Sequence, residues 1–186
     1  MELQVTPFLD ARSLTLQMAL QNSGAEDVFV DQFPLTYGWP PHREPYVYVH
    51  GDGLLLIHFG TVPNPPLMML AQEIRFFSEL LPAQRTFTTS LTLPLPILEC
   101  GKVTPTNPEA PHEVAMASRL RLVICYKRKQ RGTKVQELRP RGGIYDVRYA
   151  NLEKVETTIA LPAAIAARRR TDTFDRPFDP HRVMPP

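Results

Sequence analysis

Every second residue is apolar over two long stretches of this chain, and that period leaves few folds open. Leu14, Leu16, Met18 and Leu20 fall on one face of residues 13–21, with Thr15, Gln17 and Gln21 on the other. Leu120, Leu122, Ile124 and Tyr126 alternate in the same way with Arg121, Val123, Cys125 and Lys127 over residues 118–129. Successive side chains of a strand point to opposite faces, so this period marks half-buried β-strands. Residues 85–93 repeat it, with Phe87, Leu91 and Leu93 against Thr86, Thr88, Ser90 and Thr92. Pro94 and Pro96 close that run, because proline cannot donate to a central ladder.

Shorter segments fill in the pattern. Asn22-Ser23-Gly24 supplies turn chemistry before Val28-Phe29-Val30, and Gly51-Asp52-Gly53 between residues 46–50 and 54–59 reads as a hairpin. Residues 133–138, 144–149 and 154–161 predict three further strands. Residues 67–81 admit two readings. Leu67, Leu70, Ala71, Ile74, Phe77 and Leu81 form a helical stripe after Asn64-Pro65-Pro66, whereas a strand here would keep the rhythm of its neighbours. The helical period fits better by count, so one helix inserted near residues 67–81 is expected. A shorter helical turn is expected at residues 163–170, where three arginines suit the negative end of a helix dipole. Twenty prolines in 186 residues also favour many short elements.

Eight or nine strands with turns between them predict an all-β, antiparallel sandwich over residues 1–170, followed by an extended proline-rich C-terminal arm, residues 171–186. In architecture this resembles immunoglobulin-like domains, although Trp39 does not lie between Cys100 and Cys125. Fold resemblance at that level implies no function.

Composition narrows the setting. At 43% hydrophobic and 22% charged, the chain has the make-up of a globular domain. It is long enough to bury roughly 70% of its unfolded surface without a metal or disulfide. No targeting signal is read at Met1-Glu2-Leu3-Gln4, and no apolar run approaches a membrane span. Two cysteines without metal or redox spacing read as free thiols. With no glycosylation sequon present, a cytoplasmic protein that does not engage membranes is expected.

Catalytic signatures are missing from the sequence. No G-x-S-x-G, H-E-x-x-H, phosphate-binding glycine-lysine loop or C-x-x-C occurs. Five histidines are dispersed, with His50 and His58 on one hairpin but at opposite ends of its ladder. Cys125 lies among basic residues, which favours a thiolate, yet no histidine is near it in sequence. No catalytic, cofactor or metal residue is therefore assigned. An enzyme or metal site would have to be assembled wholly by tertiary folding.

Charge is the feature left to interpret. Residues 1–118 hold five Lys or Arg against twelve Asp or Glu, while residues 119–148 hold ten against two. Outward charge on a solvated strand face is the plainest reading. The expected function is a non-catalytic binding or assembly module of unknown process, acting through a protein surface toward a protein partner or by self-association. Its contact candidates are Arg121, Lys127, Arg128, Lys129, Arg131, Arg139 and Arg141, with Phe174 and Phe178 on the arm. A polyanion or nucleic-acid binder using the basic loops at 127–141, with Tyr126, Tyr145 and Tyr149 as stacking surfaces, is the alternative.

Overall fold

In the computed structural model, residues 1–31, 45–60, 77–101, 107–138 and 143–172 are described. They form twelve strands and, among the described residues, no helix. The strands are β1 (Glu2–Leu9), β2 (Ser13–Gln21), β3 (Val28–Asp31), β4 (Tyr46–Val49), β5 (Leu54–Phe59) and β6 (Ser78–Leu81). They continue with β7 (Thr86–Pro94), β8 (Ile97–Leu98), β9 (His112–Arg128), β10 (Lys134–Glu137), β11 (Ile144–Arg148) and β12 (Asn151–Arg170).

Two expectations are corrected. The helix predicted near residues 67–81 fails over Ser78–Leu81, which is strand β6 paired with β3; the rest of that segment lies outside the described residues. The helical turn predicted at residues 163–170 is the end of β12. There Ile165 to Arg170 pair with Ala117 to His112, so ladder bonding overrides the helix propensity of the alanines. The arm beyond Asp172 is outside the described residues.

A small antiparallel sheet has the order β1-β2-β7, and a large one runs β10-β11-β6-β3-β9-β12-β8, with β4 and β5 joined to it beside β9. The sheets face each other through one core. Leu14, Leu16, Met18 and Leu20 of the small sheet pack with Leu120, Leu122, Ile124 and Tyr126 of the large one. The alternation read from the sequence thus sets the inner faces, an arrangement consistent with a β-sandwich. The large sheet is not wholly antiparallel: β5 runs parallel to β9, and β8 parallel to β12. A backbone bridge between Val47 and Cys100 ties β4 to the end of β8. Buried Glu99 reinforces that tie by accepting the Val49 N–H at 3.0 Å and the Arg170 N–H at 2.7 Å.

Strand β9 changes face partway along. The Gly53 carbonyl accepts both the Ser118 and Arg119 N–H groups, at 2.9 and 3.2 Å. Two successive donors on one acceptor mark a bulge. Before it, Ala115 and Ala117 face the core; after it, Leu120 and Leu122 do.

Candidate functional site

The outer face of the large sheet carries the chain's concentrated charge. Following β9 from its bulge, Arg121, Val123, Cys125 and Lys127 point away from the shared core. They are flanked by β12 on one side and by β5 and β3 on the other. Strands β5 and β3 meet head-on along this second edge. The last β5 pair is Phe59 with Ile124, and the nearest β3 pair is Val30 with Tyr126. Cys125 sits at the junction, and Gly60 (φ 94°) fills it.

Of the five described contact cations three are already engaged, Arg121 and Lys127 on this face and Arg128 beside Tyr126 on the opposite one. Arg121 pairs with Glu156 at 2.6 Å, and Arg128 with Glu153 at 3.1 Å. Lys127 Nζ lies 2.9 Å from Asp31 Oδ1, and the Ser78 hydroxyl donates to the same oxygen at 2.6 Å. Asp31 is fully buried. Burial raises its carboxyl above the usual range, outweighing the opposing pull of the Lys127 charge. Glu153 is held low by the Tyr126 hydroxyl, which donates to it at 2.5 Å, and then by Arg128. Tyr126 is a core residue, as its alternation predicts. Arg139, Arg141, Phe174 and Phe178 lie outside the described residues.

Tertiary folding supplies a pair that the sequence does not show. His58 Nε2 lies 4.0 Å from Cys125 Sγ, brought there across the parallel β5–β9 ladder. Burial, assisted by the positive charge of Lys154, lowers the His58 pKa to about 4. The imidazole is thus neutral at pH 7. Both side chains are almost wholly buried, at 2% and 4% exposure. Neither Cys100 nor Cys125 is in a disulfide. Among the described residues, no three His, Cys, Asp or Glu side chains gather as a metal site would require.

A pH dependence follows from His58. The unfolded chain takes up its proton near pH 6.5, the folded chain only near pH 4. Between those values the unfolded state binds more protons, so stability falls as pH falls. The full shift corresponds to about 3 kcal/mol. The raised carboxyl of Asp31 acts in the opposite sense as pH falls, so the His58 contribution is read as the urea midpoint of wild type minus that of His58→Gln, a difference that should fall from pH 7 down to pH 5. Glu153 and Glu156 titrate lower and add their own loss only below that range.

Three further predicted or neighbouring cations lie at one corner. Lys129, Arg131 and Lys134 flank the β9–β10 turn, and none has a carboxylate at ion-pair distance among the described residues. Lys129 Nζ sits 5.4 Å above the Phe29 ring, and Lys134 Nζ 5.7 Å above Tyr149. Tyr149 is 67% exposed and adopts φ 60°, a conformation in which a bulky side chain is an outlier. Its carbonyl is held there by the Gln130 side-chain amide at 2.8 Å.

Among the described residues strand β10 ends the large sheet at this corner, and all four of its residues are exposed. The Leu138 N–H donates to the Ile144 carbonyl. By the alternation of an antiparallel ladder, the backbone groups of Val135 and Glu137 therefore face outward. Sequence reading identified the cations here but not the open strand edge. The signal available was the short 133–138 run, whose alternation alone does not place it at the end of a sheet.

No helix among the described residues is long and apolar enough to cross a membrane. Comparison with known proteins finds no matching family model, no similar curated protein and no matching solved structure.

Proposed function

We propose that the chain is a non-catalytic binding module that takes an extended, acidic segment of a partner protein along the outer edge of β10. The observation that carries this is the coincidence of a strand edge that no described strand pairs, three cations that no described carboxylate pairs, and an exposed, strained tyrosine. Outward N–H and C=O groups on Val135 and Glu137 offer a partner strand its ladder bonds. Lys129, Arg131 and Lys134 favour negative charge on that strand and disfavour a second copy presenting the same cations. Strain at an exposed side chain persists where it serves a contact.

In architecture the module is an immunoglobulin-like sandwich, with the parallel β5–β9 and β8–β12 pairs as departures from the antiparallel pattern. Its proposed setting is the cytoplasm, in keeping with two cysteines that form no disulfide. The arm carrying Phe174 and Phe178 is proposed as a second contact, through which copies self-associate.

A nucleic acid on the same loops is the second reading, favoured by Lys134 lying over exposed Tyr149. Two probes separate them: a synthetic peptide alternating Val and Glu, and a short oligothymidylate. The edge reading expects the peptide to bind and Val135→Pro, which removes an outward donor, to weaken it by about tenfold. Oligothymidylate binding that falls steeply with salt and ignores Val135→Pro would replace it with the nucleic-acid reading. Binding of neither probe would refute both. In the same experiment Tyr149→Gly should raise stability by about 1 kcal/mol, by releasing the positive-φ strain, while weakening the peptide.

A further inference from the structure

The outer face of the small sheet differs from the rest of the surface in carrying almost no charge. Its registers align Gln4 with Ala19 and Thr88 across the three strands. The next row is Thr6, Gln17 and Ser90, and the one after it Phe8, Thr15 and Thr92. None of these nine side chains ionises, in a chain that is 22% charged; Glu2, in the row beyond Gln4 with Gln21 and Thr86, is the carboxylate of this face. Apart from Ala19 and Phe8, each ends in a hydroxyl or an amide. Such groups both donate and accept hydrogen bonds.

The face also has relief. Ala19 is the short side chain between Gln4 and Thr88, and an open depression of about 460 Å³ lies over it, bordered by Thr6, Gln17 and Ser90. Phe8 stands two rows away on the same face and is half exposed, while Leu3, Val5 and Leu9, at the alternate positions of the strand, pack against the core. Four residues of strand separate Phe8 from Gln4, a span of about 14 Å.

We infer that this face binds a neutral oligosaccharide, with one sugar ring packed on Phe8 and the following units hydrogen-bonded along the Thr6–Gln17–Ser90 and Gln4–Ala19–Thr88 rows. The chemistry selects that class. Uncharged donors and acceptors answer hydroxyls, which carry both functions on one atom, and a fully polar ligand surface matches a face without an apolar stripe. A ring-flat aromatic supplies the apolar contact that the C–H face of a sugar requires. An anionic or cationic ligand would find no counter-charge in these rows. This site is independent of the β10 edge, which belongs to the other sheet.

The test is calorimetric titration of the full chain with tetrasaccharides of glucose (α- and β-linked), N-acetylglucosamine, mannose and galactose. At least one should bind, with an affinity that is unchanged between low and high salt because no ion pairs form. Phe8→Ala should weaken that binding by about tenfold or more, and Ala19→Arg, which fills the depression, should abolish it. Both positions are on the surface, and thermal unfolding of each variant confirms that the sheet is intact. Failure of every tetrasaccharide to bind would overturn the assignment, as would binding that survives both substitutions. A concentration-dependent mass that Ala19→Arg abolishes would assign the face to a second copy of the chain instead.

Discussion

Replacing Lys127 by alanine is expected to lower folding stability by about 3–5 kcal/mol, the range for stranding one member of a buried ion pair. Its partner Asp31 has no exposed surface and would keep only the Ser78 hydroxyl on Oδ1. The sign with pH distinguishes this cause from lost packing. Asp31 already has a raised pKa because burial dominates. A raised carboxyl favours the folded state at low pH, and that advantage is lost as pH rises through its folded value. The deficit of Lys127→Ala should therefore be largest near neutrality and shrink in acid, as Asp31 takes up a proton. The double substitution Asp31→Asn with Lys127→Met should recover most of the loss. Equal urea midpoints for wild type and Lys127→Ala at pH 7 would refute the pairing.

Gly60→Ala should cost about 4 kcal/mol, combining left-handed backbone strain with overpacking. A Cβ built on Gly60 would stand 2.6 Å from Cys125 Cβ and 3.0 Å from Asp31 Cβ, at φ 94°. Neither neighbour is the mobile end of a side chain, so neither can yield cheaply. The rescue pattern is diagnostic. Cys125→Ala removes the sulfur but keeps the colliding carbon, and should restore nothing to Gly60→Ala. Cys125→Gly should relieve part of the steric cost. A thermal midpoint for Gly60→Ala within a degree or two of wild type would show that the junction is looser than these distances require.

What the sequence discloses and what it conceals divide along physical lines. Where one face of a strand is buried and the other is wet, period two is plain, and residues 13–21 and 118–129 were legible for that reason. The hairpin register was legible too, because a short turn fixes it: Tyr46 lies opposite His58 as the loop demands. Strand β1 was missed. Its Leu3, Val5 and Leu9 alternate properly, but Pro7 interrupts the apolar set and Phe8 faces outward. Strand β12 was read short because alanines and arginines favour helices when isolated, while its partner is a β9 segment some fifty residues earlier.

The site was concealed for a related reason. His58 and Cys125 are 67 residues apart and meet only through a parallel pairing that no local signal announces. Likewise the cations of residues 119–148 looked free in one dimension. Arg121, Lys127 and Arg128 are in fact matched by Glu156, Asp31 and Glu153 on neighbouring strands. Among the described cations of that stretch, those at the corner, whose neighbours across the sheet run out at β10, have no carboxylate partner.

The antiparallel ribbon of β9 and β12 places His112 and Arg170 side by side at one end and Arg128 and Asn151 at the other. Tension applied between residues 112 and 170 would load one rung at a time and peel the ribbon like a zipper at low force. Tension between residues 112 and 151 would load every rung in shear together. A tether through Arg170 thus makes the molecule mechanically soft, and one through Asn151 makes it stiff.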